Sequence, residues 1–515
     1  MRSLLSFSLT STLVACAVAQ SIGLLVPTQQ GDVQGTLINP SVRQFLGIPY
    51  ATAERWTVPK LPMKRSDTLI ADTYSDSCIQ QGTPANLEYM KLTAALVPNV
   101  TESEDCLSVN IWTPSTSRKQ RTAVMIWIYG GGFNFGTSNL PTYDGQFLVR
   151  DNDDVTVVTF NYRLNIFGQP NAPQLANSTT DSQNFGLLDI HAAVNWVHDN
   201  IANFGGDPDR IILFGQSAGG AATDAYTFAH PNDTIVKGVI QQSGSISGNH
   251  FAQLLPGIDP ATWNNVSAVV GCGTNPDDAQ LECMKKVPGR TLEDAVVSTN
   301  AAFNLVPDNI TNFSDTPERA AAGNFLQVPL LVGSTQHEAD ILIAGQFLLS
   351  PLGFAPPLVT ELAADLLTEL SFTCSANVTA QNRLNAGVPT WRYQYQAVFR
   401  DISTRPYLRA WHGSDLPIVF GTYNQSVEIP KTPEEIALSN YMQNAWVAFA
   451  RDPQEGLLNF GWPNYSPASQ SLIQLGNFYN LSSATFGNAA EVDFACARAE
   501  TLAAISAQVN DLLTF

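Results

Sequence analysis

Arg210-Ile211-Ile212-Leu213-Phe214-Gly215-Gln216-Ser217-Ala218-Gly219-Gly220 carries three local signals in direct succession. Residues 210–214 form a short apolar run of strand type. Gly215-x-Ser217-x-Gly219 is a tight turn, and the Ala-rich stretch 220–229 leaves it as a helix. A strand–turn–helix with serine at its apex holds the hydroxyl out above the end of a sheet. Glycines flank the serine because the turn is sharp and its backbone strained. A helix beginning at the serine also aims backbone N–H groups at any oxyanion formed there. A purely structural Gly-rich turn has the same letters. The strand before it and the helix after it favour a presented nucleophile.

Outward from this turn, apolar runs alternate with helical stretches. VMIWIY (124–129), VTVVTF (155–160), IILF (211–214), GVIQ (238–241), VPLLV (328–332) and WRYQYQAVF (391–399) are short and β-rich. Continuous apolar runs suit strands covered on both faces. Residues 187–203 place Leu188, Ala192, Val194, Trp196, Val197 and Ile201 at helical spacing and stop at Gly205-Gly206-Asp207-Pro208. Thr432, Pro433 and Glu435 open a second helix with a capping box, and Trp446 lies on its apolar stripe. Both tryptophans read as core. The alternation predicts an α/β fold, a central, mostly parallel twisted sheet with helices on both faces. No repeat, low-complexity tract or linker divides the chain, so residues 20–515 read as a single domain.

An acyl-transfer serine needs an oxyanion site, and Gly130-Gly131-Gly132 follows the strand-like run 124–129. Backbone N–H groups of Gly131, Gly132 and Ala218 are the candidate donors. A dinucleotide loop is excluded because the pattern is not G-x-G-x-x-G. The serine also needs a histidine base, and the histidine a carboxylate. When the acid and histidine follow the serine in the chain, His191 and His198 come too early, and His230 and His250 too soon after Ser217. His412 remains beside His337. Glu338 lies beyond the strand run 328–332, at the end where such sheets carry functional groups. The expected triad is Ser217, Glu338 and His412. Asp340 is the alternative acid and His337 the alternative base.

The 515 residues are 44% apolar and 14% charged, which excludes a disordered chain. Lys and Arg total 26 against 45 Asp and Glu, a formal charge of −19. Such a surface repels phosphate backbones, so no nucleic-acid partner is expected. Residues 1–19 read as a signal peptide: Arg2, an apolar stretch, then Ala17-Val18-Ala19 before Gln20. The apolar stretch is too short to span a bilayer, so the protein is expected to be secreted, with no transmembrane segment. Cys16 leaves with the signal, and Cys78, Cys106, Cys272, Cys283, Cys374 and Cys496 remain. Six cysteines in an exported chain imply three disulfides with 15 connectivities open. Proximity favours Cys78–Cys106 and Cys272–Cys283, leaving Cys374–Cys496. Sequons at Asn99, Asn177, Asn232, Asn265, Asn309, Asn312, Asn377, Asn424, Asn464 and Asn480 predict a glycoprotein. No CxxC or HExxH motif occurs, so neither a metal nor a cofactor is expected.

Further motifs sharpen this reading. Gly47-Ile48-Pro49-Tyr50-Ala51, Glu104-Asp105-Cys106-Leu107-Ser108-Val109-Asn110-Ile111-Trp112, Asn161-Tyr162-Arg163, Phe204-Gly205-Gly206-Asp207-Pro208 and Gln242-Ser243-Gly244-Ser245 join the Ser217 turn. Together they resemble the type-B carboxylesterase/lipase family, the cholinesterase-like branch of the α/β-hydrolases, over nearly the whole mature chain. The resemblance implies an α/β-hydrolase fold and a Ser-Glu-His triad at Ser217, Glu338 and His412. It also implies oxyanion donors at Gly131, Gly132 and Ala218, a disulfide like Cys78–Cys106, and a supporting hydrogen bond from Ser243. Two departures stand out. Gln216 precedes the nucleophile where the family commonly has Glu. Between Cys78 and Cys106 there is Tyr89 but no Trp. Cholinesterases hold choline with a Trp in that loop and a nearby acid, so a choline ester is not the expected substrate. Leu87, Met90, Ala94 and Val97 at helical spacing in this loop fit either a short lid or ordinary packing.

The resulting expectation is a secreted serine hydrolase that cleaves a small-molecule carboxylic ester or a lipid, or a secondary-metabolite ester or lactone. An acyltransferase using the same triad, or a silent binding protein on the same scaffold, are the alternatives. Oligomeric state is not legible in the sequence.

Overall fold

The computed structural model describes residues 23–93, 101–176, 182–247, 259–347, 357–425 and 429–498. Eleven strands make the main sheet: β1 (Thr36–Asn39), β2 (Val42–Pro49), β3 (Ser108–Pro114), β4 (Thr122–Ile128), β5 (Val155–Phe160), β6 (Gly206–Gln216), β7 (Val236–Gln242), β8 (Leu330–Thr335), β9 (Thr390–Tyr395), β10 (Leu472–Asn477) and β11 (Asn480–Gly487). Their order across the sheet is β11-β10-β9-β8-β7-β6-β4-β5-β3-β2-β1. From β5 through β10 every neighbouring pair is parallel. The edges are antiparallel: β10 with β11, and β5, β3, β2 and β1 in succession.

Four helices matter below: α1 (Pro84–Leu92), α2 (Phe185–Phe204), α3 (Ala218–Ala229) and α4 (Pro433–Arg451). Every residue of β3, β4 and β5 is buried, so side chains pointing to either face of the sheet are covered. α2 ends where Gly205 adopts φ 96°, a left-handed cap that glycine takes without strain. The capping box at α4 is present, with Thr432 Oγ1 accepting from Glu435 N at 3.1 Å. Trp196 and Trp446 are both buried core residues.

The sequence runs locate the central strands to within two residues at most ends. The run at 391–399 is longer than β9, because after Tyr395 the chain leaves the sheet into a loop. Gly206-Asp207-Pro208 belongs to β6, although it reads as a breaker. The edge strands β1, β2, β10 and β11 lack a continuous apolar run and carry no comparable sequence signal.

Disulfides join Cys78–Cys106 and Cys272–Cys283, the pairs favoured by chain proximity, and Cys374–Cys496, the pair they leave. Among the described residues no helix is long and apolar enough to cross a membrane. The signal segment 1–19 lies outside the described residues. So do Asn99 and Asn177, and of Asn424 only the backbone is described. Asn232, Asn265, Asn309 and Asn464 are exposed, and Asn312, Asn377 and Asn480 are half-buried.

Candidate active site

The carboxyl end of β6 runs straight into Ser217, whose backbone has φ 57° and ψ −125°. A positive φ at a non-glycine residue is strained and persists only where the surroundings enforce it. Here they do so through close backbone approach. A Cβ on Gly219 would lie 1.9 Å from Ile128 O, and one on Gly244 would lie 1.9 Å from Ser217 O. The start of α3 is thereby pressed against the end of β4 and the strand-end loop of β7. Ser217 N donates to Gln242 O at 2.8 Å and fixes the turn.

The glycine loop after β4 runs beside this turn. Gly131 adopts φ 119° and Gly132 φ 60°. A Cβ on Gly131 would strike Phe135 O at 2.0 Å. Gly131 O is bound by Asn134 N and Phe135 N, and Gly132 O by Asn134 Nδ2. These contacts turn the carbonyls into the loop. The N–H groups of Gly131, Gly132 and Ala218 have no acceptor among the described residues.

Glu338 follows β8, and His412 follows β9. His337 N donates to Ala410 O at 2.9 Å and His412 N to Glu338 O at 3.2 Å, so the two loops are zipped together by backbone. Glu338 is fully buried. Thr335 N donates to its Oε1 at 2.6 Å, and His412 Nδ1 donates to its Oε2 at 2.5 Å. The Phe372 ring packs 4.9 Å from the imidazole. With Nδ1 occupied by the carboxylate, Nε2 carries the lone pair. Gln216 Nε2 donates to that His412 Nε2 at 2.9 Å. Among the described residues no hydrogen bond joins His412 to Ser217 Oγ.

The alternative acid and base are engaged elsewhere. Asp340 is bound by Arg409 through N, Nε and Nη2 at 2.7–3.0 Å. His337 Nδ1 contacts Asp365 at 3.1 Å, and Asp365 also takes Arg409. The carboxylates beside His337 thus already hold a guanidinium. Ser243 N donates to Gly333 O, but Ser243 Oγ is buried without a partner among the described residues. The supporting hydrogen bond expected from Ser243 is therefore not made.

A cavity of about 360 Å³ opens beside Gly130, Gly131, Gln216 and His412. α1 supplies Leu87, Tyr89 and Met90 to its wall. Of the residues read as a lid, Ala94 and Val97 lie outside the described residues. Sequence reasoning did not find Tyr143, Trp411 or Leu416 in this wall, nor Asp415 behind it. Asp415 is fully buried three residues beyond His412, accepts from Gln242 Nε2 at 2.9 Å, and is pushed up to about 6 by burial. A local signal existed for it only in its closeness to His412.

A parallel sheet with a strained serine turn at its carboxyl edge, and a buried carboxylate–imidazole pair on the next loops, defines an α/β-hydrolase. Residues 23–349 and 358–494 match the model of the carboxylesterase family, so the chain belongs to that family and is a carboxylic ester hydrolase. It is 34% identical to Secreted lipase 5 of Gibberella zeae, over 85% of this chain and 86% of the relative. It is 33% identical to Chlorogenic acid esterase of Aspergillus niger, over 88% and 90%. A solved structure of PNB esterase superposes with a TM-score of 0.73 at 28% identity, covering 93% of this chain and 99% of that one.

Proposed function

We propose that the chain is a secreted, glycosylated serine esterase of one catalytic domain, spanning residues 20–515 after loss of the signal segment 1–19, that acts on small-molecule esters through Ser217, His412 and Glu338. Ser217 Oγ attacks the acyl carbon, and its proton passes to His412 Nε2. That proton then goes to the alkoxide oxygen as the C–O bond to the alcohol breaks. Water repeats the sequence on the acyl-enzyme and releases the acid. Glu338 stabilises the imidazolium formed in each half, and the N–H groups of Gly131, Gly132 and Ala218 receive the oxyanion. In the resting site Gln216 occupies the His412 lone pair, so its amide swings aside when Ser217 delivers a proton.

The observation that carries this reading is the 2.5 Å bond from His412 Nδ1 to the buried Glu338, alongside the strained Ser217 turn. The unpaired N–H groups at the glycine loop and the name of the secreted relative support it further. Labelling with a fluorophosphonate probe tests it. Wild-type protein takes up one label, and Ser217→Ala takes none. Equal labelling of the Ser217→Ala protein would refute the assignment. Secretion predicts a mature chain beginning at Gln20, and glycosylation predicts a mass loss on N-glycosidase treatment; mass spectrometry reads both.

A further inference from the structure

The cavity wall is aromatic and apolar, from Leu87, Tyr89, Phe135, Tyr143, Trp411 and Leu416 among others. Two phenol groups interrupt it. The Tyr89 ring packs edge-on to Phe135 at 5.8 Å, and the Tyr143 ring is wedged between Trp127 and Phe420 at 5.1 and 5.8 Å. Neither hydroxyl has a hydrogen-bond partner among the described residues, although both rings are fixed. Burial raises both hydroxyls above the ordinary tyrosine range, with Glu338 adding to the rise at Tyr89 and Tyr89 to that at Tyr143. They are therefore neutral donors, and the Tyr89 hydroxyl lies within electrostatic reach of the Glu338–His412 pair.

Charge in the wall is already accounted for. Among the described residues Glu102 is the single carboxylate lining the cavity, and Arg290 pairs with it at 3.0 Å. At Gln216 the side chain is a neutral amide. Among the described residues a cationic substrate finds no free anion here, and an anionic one finds no free cation. A plain alkyl chain would leave both tyrosine hydroxyls buried against methylenes, with no acceptor. The volume is near the lower end of the roughly 300–1,000 Å³ of small-ligand sites.

We propose that Tyr89 and Tyr143 select esters whose buried half carries a phenol, its ring held against the aromatic wall and its oxygen by the two tyrosine hydroxyls. This rests on the hydrolase reading of Ser217 and His412. A site built to hydrogen-bond a substrate hydroxyl discriminates strongly against the analogue that lacks it.

The test compares kcat/KM for methyl 4-hydroxycinnamate and methyl cinnamate, with p-nitrophenyl decanoate as the alkyl arm. The wild type is expected to favour the hydroxylated ester over unsubstituted cinnamate by on the order of tenfold or more. In Tyr89→Phe/Tyr143→Phe that ratio falls to near one, through slower turnover of the hydroxylated ester. Equal wild-type rates on the two cinnamates, a preference for the decanoate, or an unchanged ratio in the variant would each overturn the proposal. Fluorophosphonate labelling of Ser217 in the same preparation separates the two readings. A labelled enzyme without phenol preference refutes the phenol site alone, and an unlabelled one refutes the hydrolase reading.

Discussion

Asp224 and Glu338 are both fully buried, yet six donors converge on the first carboxylate and two on the second. Asp224 sits on α3. It receives Arg383 Nη2 at 2.8 Å, Gln241 Nε2, the N–H groups of Ile246 and Ser247, and the hydroxyls of Ser245 and Ser247. The Arg383 guanidinium lies 3.7 Å over the Phe325 ring. That carboxylate is saturated with a permanent cation, so it anchors α3 to the loop after β7. Glu338 has one backbone donor and one imidazole. Its remaining lone pairs take no other donor among the described residues, and its partner is an imidazole rather than a permanent cation. A buried carboxylate of the first kind is held in a fixed ion pair, and one of the second kind has bonding capacity left for a charge that forms on its partner.

The largest expected effect breaks the second region. Glu338→Gln keeps shape and removes charge, so the amide no longer fixes the Nδ1–H tautomer of His412. kcat should fall by about 10⁴-fold, while thermal stability stays near that of wild type. Steady-state kinetics and a melting curve on one preparation check both. An equally large loss of stability would mean that Glu338 is an anchor like Asp224.

The converse substitution follows in size. Asp224→Asn leaves the Arg383 guanidinium buried without a counter-charge, which costs about 3–5 kcal/mol. Denaturant unfolding should show this as a lower midpoint. The folded fraction, counted by fluorophosphonate titration, should retain wild-type turnover.

The two regions also differ in how far they can be read from the chain. The serine turn is legible because its constraints are local: Gly219 and Gly244 are forced by backbone atoms that a Cβ would strike, and strand, turn and helix are contiguous. Glu338 and His412 are reachable by chain order and by exclusion of the other histidines. Asp224 carries no such signal, since its cation Arg383 stands 159 residues downstream and Gln241 on the next strand is one amide among many. The contact of Gln216 with His412 is hidden for the same reason. The sequence marks Gln216 as unusual but does not say what its amide touches. Tyr143 reaches the cavity from the segment between β4 and β5, and nothing local distinguishes it from a core tyrosine.

Asp415 sharpens the comparison as a third buried carboxylate, with Gln242 and Tyr393 as its side-chain donors and no cation paired with it among the described residues. Burial raises it from 3.8 to about 6, and the Glu338 charge adds to the rise. The folded state then holds a proton that the unfolded chain releases above about pH 4. Stability from this group is full below that pH and is lost as pH rises through about 6. At about 1.4 kcal/mol per tenfold change in proton affinity, the loss is about 3 kcal/mol. Asp415→Asn imitates the protonated acid. The difference in unfolding free energy, variant minus wild type, should therefore grow by about 2 kcal/mol between pH 4 and pH 6.5. A flat difference would show that Asp415 ionises as freely as an exposed carboxylate.

The smallest expected effect concerns Ser243, which lies on the shared border of the two regions. Its backbone ties β7 to Gly333, and the next residue, Gly244, touches Ser217 O. Its hydroxyl is buried with no partner among the described residues. Removing a polar atom that makes no bond relieves a desolvation cost and forfeits nothing, and alanine occupies the space serine leaves. Backbone strain is unchanged, since φ 54° is as unfavourable for alanine as for serine. Ser243→Ala should thus match wild type in kcat/KM and melt at the same temperature or slightly higher. A tenfold loss of kcat with stability intact would mean that the hydroxyl turns toward the triad during turnover, making Ser243 a positioning residue for Ser217 or His412 that the resting geometry conceals.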